Sequence, residues 1–516
     1  MFEQYLKGGR NVTTDVKVQV FPHFINGQWT PSASGEFFEV KNPATGEVVA
    51  QVAKGNTEDV NKAVQNAKEV YESGVWSKKS QAERAQIMMQ FAGKIKDNAQ
   101  QIIYLEGIST GATLRKLGGA DIRQMILSLT QTADLSLKYN AVTPLPVNEA
   151  LGPNRSLLVR EPVGVVAAIT PFNFPLVLAM WKIAPAIAMG NSIIIKPASN
   201  TPLGTLKLAQ LAIEAGIPPG VINVVTGPGA EVGDALVTHR DVSKVAFTGS
   251  TEVGKKIMAQ AAGSVKKVTL ELGGKAPAIV LPDIDFETAI PSILLGVFFH
   301  SGQVCEASTR LIVHESIYDI VVQQLAEATK KIKLGQPLDI TTGMGPVISE
   351  SQMNKILGYI QSGIDEGARL VCGGKRASGP GLDNGYFIEP TIFADVTNDM
   401  KIAREEIFGP VLCVLKYSTE EEAIAIANDS DYGLTGGVWG RDVTKANEIA
   451  TKINAGTIWI NDWHIFRTDA PFGGYKQSGL GREQGVQVFD EYTELKNICT
   501  SLTTENAQRP ALGLLF

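Results

Sequence analysis

The chain has 516 residues, of which 44% are hydrophobic and 19% charged, and its formal net charge is −6 from 47 basic and 53 acidic side chains. A chain of this length is too long for one hydrophobic core, so we expect two or three domains. The basic residues are not clustered, which argues against a nucleic-acid partner. Four cysteines without a CxxC pair argue against a disulfide framework and favour a reducing compartment.

The sequence shows no signal for export or for membrane insertion. Its first residues lack a basic segment followed by an apolar one, and no apolar run approaches the roughly 20 residues needed to span a bilayer. We therefore expect a cytoplasmic protein with no membrane partner.

The first third of the chain begins with polar residues and continues with helical patterns. Residues 1–20 are expected to be peripheral, and apolar residues recur at helical spacing over 58–72 and 80–98. Residues 156–160 include two leucines and a valine and form a candidate strand.

The segment 160–282 alternates short β-branched runs with helical patterns. Strands are predicted at 163–169, 192–196, 221–225, 244–248 and 268–272, and helices at 175–189 and 202–215. Such alternation predicts a mostly parallel sheet with helices on both faces. A second α/β alternation runs from about 277 to 470. Ligands of such sheets bind at the carboxyl ends of the strands, where the motifs described next fall.

Three side chains with complementary chemistry stand near glycine- or proline-marked turns after apolar runs. They are Asn173 in TPFNFP, Glu271 in VTLELGGK and Cys305 in FFHSGQVCE. A thiolate attacks carbonyl carbons, a carboxylate can act as a base, and a carboxamide can donate to an oxyanion. This combination is what the oxidation of an aldehyde to an acid requires.

These motifs resemble, in content and order, those of the hydrolytic NAD(P)-dependent aldehyde dehydrogenases, and the resemblance covers roughly residues 22–500. It implies two doubly wound α/β domains, a Rossmann-like cofactor domain and a catalytic domain, plus a small oligomerisation sheet. The implied assembly is a homodimer or homotetramer. The predicted boundaries are 1–145 and 161–272 for the dinucleotide-binding domain, 273–475 for the catalytic domain, and 146–160 and 486–516 for the oligomerisation segment and tail.

The resemblance also implies a mechanism without a metal. Cys305 attacks the aldehyde, and the oxyanion of the thiohemiacetal is held by Asn173 and by the backbone N–H of Cys305. Hydride transfer to the nicotinamide leaves a thioester, which water activated by Glu271 hydrolyses. Lys182 and Glu483 match positions linked in the family to proton movement, although each could instead be a solvated surface charge.

Two glycine turns are candidate cofactor contacts. The segment from Gly227 to Gly233 has a tight turn, but its last spacing is one residue longer than the common dinucleotide fingerprint. The turn at Gly249 and Ser250 is more specific, because a strand ends there and a helix begins, which suits a pyrophosphate oxygen. The resemblance assigns cofactor contacts to Thr170, Pro171, Phe172, Lys196, Ser199, Gly229, Gly233, Phe247, Gly249, Ser250, Gly273, Glu406 and Phe408.

Ser199 bears on the choice between NAD and NADP. Many NAD-preferring relatives carry a glutamate at this place, three residues after the lysine that corresponds to Lys196. A neutral hydroxyl does not repel a 2′-phosphate, so NADP is predicted to be accepted, either alone or alongside NAD.

The substrate pocket is predicted to be apolar and aromatic, as suits an uncharged aldehyde. A second hypothesis has Arg467 reach inward to bind a carboxylate, which would favour a semialdehyde. The apolar residues 510–516 are predicted to dock on the chain's own surface or on a neighbouring subunit. The candidate pocket residues are Phe174, Leu178, Trp181, Val304, Trp463, Phe466 and Arg467.

Three other functions remain open at this stage. A CoA-acylating aldehyde dehydrogenase would transfer the acyl group to CoA, although such relatives commonly lack the acid that Glu271 supplies. A cysteine hydrolase would use a histidine such as His300 to activate Cys305, but it leaves the nucleotide motifs unexplained. A noncatalytic binding protein on the same fold is the third alternative.

Overall fold

The first α/β unit is built on an eight-stranded sheet in the computed structural model, which describes residues 18–148, 153–503 and 505–515. Its five central strands pair in parallel, and both edges are antiparallel. In spatial order the strands are Gly479–Leu480, Lys267–Glu271, Lys244–Thr248, Val165–Ile169, Ser192–Lys196, Ile222–Val224, His23–Ile25 and Gln28–Thr30.

The predicted parallel sheet is confirmed, and the five predicted strands agree with the observed ones within two residues at each end. The strand Ser192–Lys196 shows why the pattern was readable. Its Ile193 and Ile195 pack into one core and Ile194 into the core on the opposite face, because successive side chains of a strand point to opposite sides. Both faces are buried, so the three central residues of the strand are all apolar.

Helices cover both faces of this sheet. Thr57–Ser73 and Gln81–Asp97 each begin with a capping box, formed in the first by Asn56 with Asp59 and in the second by Ser80 with Glu83. Pro175–Ala188 has proline in its first turn and is buried along its whole length. The remaining helices of this half are Ala99–Thr110, Leu114–Lys116, the π-helix Leu117–Asp121, Ile122–Lys138, Leu203–Glu214, the π-helix Gly229–Gly233, Asp234–Thr238 and Thr251–Ala262.

The second α/β unit is a seven-stranded sheet that is parallel except at one edge. Its strands, in spatial order, are Arg369–Cys372, Thr391–Ala394, Val411–Tyr417, Arg310–His314, Pro277–Val280, Thr435–Trp439 and Thr457–Ile460. Its helices are Phe286–Phe298, the 3₁₀ turns Phe299–Gly302 and Glu315–Ile317, Tyr318–Thr329, Glu350–Asp365, Lys401–Arg404, Glu420–Asn428 and Val443–Ala450.

A third, three-stranded sheet consists of Val142–Pro144, Asn154–Pro162 and Thr493–Ser501. The two longer strands pair antiparallel over nine residues, and the candidate strand at 156–160 lies within the first of them. The strand Thr493–Ser501 forms an edge of this sheet, and all its residues after the first are exposed.

Smaller elements complete the chain. Gln19–Phe21, Val48–Ala53 and Phe37–Lys41 form a three-stranded sheet, Tyr432–Gly433 pairs with Tyr475–Lys476, and the remaining helical segments are Val488–Glu491, Asn506–Gln508 and Pro510–Leu514. Within the described ranges no helix is both long enough and apolar enough to cross a membrane.

The two ends of the chain limit two of the predictions. Leu514 and Leu515 are 85% and 83% exposed, so these side chains do not dock on the chain's own surface. The other predicted alternative, docking on a neighbouring subunit, stays a prediction. Residues 1–17, most of the segment predicted to be peripheral, and Phe516 lie outside the described residues.

Candidate active site

The three predicted catalytic side chains stand on loops and strand ends between the two large sheets. Asn173 follows the strand Val165–Ile169, Glu271 is the last residue of its strand, and Cys305 precedes the strand Arg310–His314. Cys305 and Glu271 both line one cavity of about 450 Å³. The structure therefore brings the predicted thiol and the predicted base to the same space.

The loop that carries Cys305 turns sharply through a left-handed segment. His300, Ser301 and Gly302 have φ values of 50°, 58° and 70°. A Cβ on Gly302 would lie 2.1 Å from the carbonyl oxygen of Gly409, so only glycine fits there. Two non-glycine residues with positive φ are costly, and such strain persists where the surrounding structure enforces it.

The carboxamide of Asn173 is tied to the Cys305 loop. Its Nδ2 donates to the carbonyl oxygen of Gln303 at 2.9 Å, and the side chain is buried. The Gln303 side chain in turn accepts from the backbone N–H of Ile348 at 2.9 Å. An amide nitrogen carries two hydrogens, so Asn173 keeps one for an oxyanion.

The Cys305 thiol lies in an acidic and partly buried environment. Its Sγ lies 3.2 Å from Oε2 of Glu306. Burial, followed by the charge and hydrogen bond of Glu306, raises the pKa of the Cys305 thiol well above its ordinary value. The raised pKa favours the protonated form of the Cys305 thiol at neutral pH.

Glu271 is an almost completely buried carboxyl. Neither of its oxygens has a hydrogen-bond partner among the described residues. Burial raises the pKa of Glu271 well above its ordinary value; Glu483 raises it further, whereas Lys182 opposes the rise. A base held free of hydrogen bonds in an apolar site has a lone pair available for a water molecule.

Lys182 and Glu483 form a buried pair beside Glu271. Lys182 Nζ lies 2.5 Å from Glu483 Oε1 and donates to Thr248 Oγ1 at 2.7 Å. Thr248 is the register partner of Glu271 on the neighbouring strand. The alternative in which Lys182 and Glu483 are solvated surface charges is therefore wrong, since both are buried.

One group of predicted cofactor residues surrounds the end of the strand Ser192–Lys196. Lys196 Nζ donates to the carbonyl oxygen of Pro197 at 3.0 Å, and burial lowers the pKa of Lys196 to about 8. The Ser199 hydroxyl donates to the carbonyl oxygen of Gly227 at 3.0 Å. Thr170 is buried and its hydroxyl has no partner among the described residues. Hydroxyls and a buried ammonium with a single carbonyl partner suit a ligand rich in oxygen, so this set fits a dinucleotide.

The two glycine turns differ in the helices that follow them. Ser250 caps the twelve-residue helix Thr251–Ala262, accepting from the backbone N–H of Val253. Gly249 lies so close to the ring of Phe247 that a Cβ at position 249 would be 2.5 Å from Cζ of that ring. The other turn opens into the π-helix Gly229–Gly233, and a Cβ on Gly229 would meet nothing within 4 Å.

The remaining cofactor candidates lie opposite, on the second α/β unit and at its junction with the first. Glu406 accepts from the backbone N–H of Gly274 at 3.1 Å, and burial raises the pKa of Glu406 to about 7. A Cβ on Gly273 would lie 2.3 Å from Glu406 Oε2. Phe408, at φ 57°, makes an edge-on ring contact with Phe172 at 5.6 Å. Pro171 adjoins Phe172 in the loop after Val165–Ile169.

The cavity beside Cys305 is lined largely by apolar and aromatic side chains, as predicted, but two candidates are absent from its lining. Val304 is buried without lining the cavity. Arg467 pairs with Asp469 at 2.7 Å and its side chain is 70% exposed, so the inward-reaching arginine is wrong. The candidates that do line the cavity are Phe174, Leu178, Trp181, Trp463 and Phe466.

Several lining residues were not predicted from the sequence. Glu306 adjoins Cys305 in the chain and Phe299 lies in the same FFHSGQVCE motif, and that proximity was the available signal for both. The others come from the π-helix, from the helix after it and from scattered segments. They are Gly119, Ala120, Asp121, Arg123, Gln124, Leu127, Val177, Thr248, Leu295, His464, Ile465 and Phe472.

Comparisons with known proteins identify related chains. The model of the aldehyde dehydrogenase family matches residues 29–498. Betaine aldehyde dehydrogenase of Bacillus subtilis is 45% identical over 477 residues, which cover 92% of this chain and 96% of that protein. Human aldehyde dehydrogenase 1A1 is 43% identical over 497 residues, which cover 96% of this chain and 97% of that protein.

Solved structures show the same architecture. Betaine aldehyde dehydrogenase from Staphylococcus aureus, in complex with NAD⁺, aligns with a TM-score of 0.91 at 42% identity, covering 94% of this chain and 95% of that one. Indole-3-acetaldehyde dehydrogenase from P. syringae, in a complex with NAD⁺ and IAA, aligns with a TM-score of 0.91 at 42% identity. The alignment covers 97% of this chain and 99% of that one. The predicted Rossmann-like α/β fold is thereby confirmed.

Proposed function

Since the chain belongs to the aldehyde dehydrogenase family, we propose that Cys305 is its nucleophile, Asn173 its oxyanion donor and Glu271 the base that activates water. The reaction is the oxidation of an aldehyde with NAD through a cysteine-bound intermediate. The single observation that carries the residue assignment is that Cys305 and Glu271 line one cavity, with Asn173 bonded to the Cys305 loop.

In the first step the Cys305 sulfur bonds to the carbonyl carbon of the aldehyde. The π electron pair moves to the carbonyl oxygen, and the free hydrogen of the Asn173 amide and the Cys305 backbone N–H are the proposed donors to it. NAD, when bound, would accept the hydride that leaves this carbon as the electron pair on oxygen re-forms the carbonyl bond. Cys305 then holds the acyl group as a thioester.

In the last step Glu271 takes a proton from water, whose oxygen attacks the thioester and releases the acid and the thiol. Burial disfavours the charged form of Glu271, which makes its carboxylate a stronger base than an exposed one. The buried Lys182–Glu483 pair lies next to Glu271 and offers a route for the proton. A CoA-acylating enzyme would have no use for this arrangement.

The cofactor residues are assigned by the same reasoning. Lys196 and Ser199 would hold the adenosine ribose, the turn at Ser250 a pyrophosphate oxygen, and Glu406 the nicotinamide ribose, with Phe408 packing against it. The remaining assigned contacts are Thr170, Pro171, Phe172, Gly229, Gly233, Phe247, Gly249 and Gly273.

NADP is proposed as a second cofactor. Ser199 is neutral, and its hydroxyl oxygen keeps accepting capacity after donating to Gly227. The Lys196 ammonium lies in the same region, so a 2′-phosphate would meet a positive charge and no carboxylate from residue 199.

The substrate is proposed to be an uncharged aldehyde with an apolar or aromatic body. The cavity is lined by Trp181, Trp463, Phe466 and Phe174, whose rings would pack against such a body. Because Arg467 is paired with Asp469 outside the cavity, it gives no support for a semialdehyde.

A homodimer or homotetramer is proposed, with the exposed edge strand Thr493–Ser501 at the contact. Leu495 and Ile498 are 55% and 45% exposed on this strand, and an exposed edge strand offers unpaired backbone groups with which another chain can pair. The domain division at 1–145 with 161–272, 273–475, and 146–160 with 486–516 stays a proposal, as does a cytoplasmic location, which rests on the four unpaired cysteines.

The test is formation of reduced nicotinamide from a panel of aliphatic, aromatic and carboxylate-bearing aldehydes without CoA. NAD and NADP are run in parallel, with Cys305→Ala as the matched variant. Turnover that is lost in Cys305→Ala supports the assignment. Turnover that requires CoA would move the chain to the acylating class, and turnover unaffected by Cys305→Ala would refute the nucleophile.

A further inference from the structure

Glu306 follows Cys305 directly in the chain and contacts its reacting atom. Its Oε2 accepts a hydrogen bond from Cys305 Sγ at 3.2 Å, and its side chain is buried in the wall of the same cavity. Glu271 has no hydrogen bond to any described residue. We propose that Glu306, and not Glu271, takes the proton of the Cys305 thiol when the sulfur attacks the aldehyde.

His464 holds the other oxygen of this carboxylate. Its Nδ1 lies 3.0 Å from Glu306 Oε1, and its Nε2 lies 3.2 Å from the carbonyl oxygen of Leu295. A carbonyl oxygen only accepts, so Nε2 carries a proton. The contact with Nδ1 occupies Oε1, so Oε2 is the oxygen of Glu306 that faces the thiol. His464 is thus a positioning residue that acts through Glu306.

The surrounding structure fixes both residues. Trp463 Nε1 donates to the backbone carbonyl oxygen of Glu306 at 2.8 Å, and Thr435 Oγ1 donates to the same oxygen at 3.3 Å. His464 has a left-handed φ of 59°, and its ring packs against Phe299 with centroids 5.1 Å apart. A bulky residue held at positive φ is costly, so packing around the site maintains this orientation of the imidazole.

The charges around Cys305 explain why an acceptor in contact is needed. The carboxyl groups that act on the thiol are those of Glu306, Glu406 and Glu271, and the imidazole behind Glu306 is that of His464. Burial and these acids raise the pKa of the Cys305 thiol, so a free thiolate is scarce at neutral pH. Transfer to Glu306 during attack avoids forming one.

In the proposed attack, the S–H bond of Cys305 breaks and its proton goes to Glu306 Oε2, while the sulfur electron pair forms the bond to the carbonyl carbon. The π pair of the carbonyl moves to oxygen, where Asn173 donates to it. The overall oxidation releases a proton, and Glu306 returns its proton to solvent through the cavity that it lines.

The proposal rests on Cys305 being the nucleophile, and one experiment separates the two claims. p-Nitrophenyl acetate, used without any nucleotide, acylates the thiol, and the first equivalent of nitrophenolate reports thiol attack alone. Glu306→Gln keeps an oxygen that accepts from the thiol but cannot take its proton. We expect the burst rate at pH 7 to fall at least about 100-fold, a typical contribution of a proton acceptor. Burst amplitude counts folded sites, so a folding defect lowers the amplitude and not the rate.

Further variants separate the roles of Glu306 and Glu271. Glu271→Gln should keep the fast burst and lose the slower steady phase, whereas Glu306→Asp should recover part of the burst rate. Glu327 is exposed, so Glu327→Gln is the matched control, and its burst rate should equal that of the wild type. An unchanged burst rate in Glu306→Gln, or a slow burst in Glu271→Gln, would overturn the proposal for Glu306. A normal burst in Cys305→Ala would overturn the proposed nucleophile itself.

His464 is tested by a double-mutant cycle. His464→Gly suits the positive φ and removes the imidazole, and it should slow the burst while leaving its amplitude unchanged. If His464 acts through Glu306, the double variant with Glu306→Gln should be no slower than Glu306→Gln alone. Additive losses would show that His464 acts independently and would reject its positioning role.

Discussion

Lys182 Nζ lies 2.5 Å from Glu483 Oε1, and the two side chains are 0% and 1% exposed. The pair links the helix Pro175–Ala188 to the segment after the strand Gly479–Leu480, next to the carboxyl of Glu271. If either side chain is removed, the charge of the other stays buried without its ion-pair partner and without water to solvate it. The pair therefore supports the fold and the proposed base together.

Removing one partner of this pair should destabilise the protein more than replacing both partners with apolar residues. Lys182→Met leaves Glu483 without its ammonium, and we expect a loss of about 3–5 kcal/mol in the free energy of unfolding. Lys182→Met combined with Glu483→Leu should lose less, because no buried charge remains. Urea unfolding followed by tryptophan fluorescence measures both. Lys138→Met breaks the exposed pair with Asp134 and should cost less than about 1 kcal/mol. Equal losses in Lys182→Met and this control would contradict the account.

Thioester hydrolysis should become faster as the pH rises. Glu271 acts as a base only when it is deprotonated, and its pKa is raised well above the ordinary value by burial and by Glu483. The rate of thioester hydrolysis should therefore keep rising to a higher pH than it would with an ordinary carboxyl group as the base. Stopped-flow measurement of the steady phase across pH, after the nitrophenolate burst, checks this. A steady phase that slows as the pH rises would contradict the assignment of Glu271.

A methyl group at Gly273 should disturb the cofactor side of the site without unfolding it. A Cβ there would lie 2.3 Å from Glu406 Oε2, so the carboxylate must move away from the proposed ribose position. We expect Gly273→Ala to raise the KM for NAD about tenfold. Gly358→Ala, in the helix Glu350–Asp365, meets nothing within 4 Å and is the control; it should leave KM unchanged. Unchanged KM in Gly273→Ala would argue against the role of Glu406.

A carboxylate at position 199 should restore discrimination against NADP. Ser199→Glu would place a negative charge near the proposed 2′-phosphate, and we expect kcat/KM for NADP to fall at least tenfold, or about 1.4 kcal/mol, with little change for NAD. Ser199→Gln has nearly the same size without the charge and serves as the control. If the wild type prefers NAD by roughly a thousandfold, about 4 kcal/mol, the prediction that NADP is accepted is wrong.

Much of the fold was readable from the sequence because its central strands are buried on both faces. Ile193, Ile194 and Ile195 form a continuous apolar run between turn residues, and such runs have well-defined ends. Cys305 could be predicted as the nucleophile because its motif occurs together with those of Glu271 and Asn173, in an order that resembles a known family. These signals lie in the sequence itself and need no knowledge of tertiary contacts.

The cavity wall was less predictable because it depends on loop direction and on pairing. The left-handed segment at His300 and Ser301 redirects the chain, and further along it the side chain of Glu306, not that of Val304, reaches the cavity. Arg467 stays outside because Asp469, two residues later, neutralises it locally. The rim around Arg123 comes from a helix distant in sequence from the motifs, so no spacing could mark it.

The central claim is that Cys305 carries the acyl group and that Glu271 is needed to remove it. The most direct measurement is mass spectrometry of the Cys305 peptide after acid quenching of Glu271→Gln mixed with NAD and a good aldehyde substrate. The account predicts one equivalent of reduced nicotinamide per site and an acyl mass added to Cys305, with neither in Cys305→Ala. Rapid multiple turnover without acyl accumulation in Glu271→Gln, or an acyl group on another residue, would contradict it.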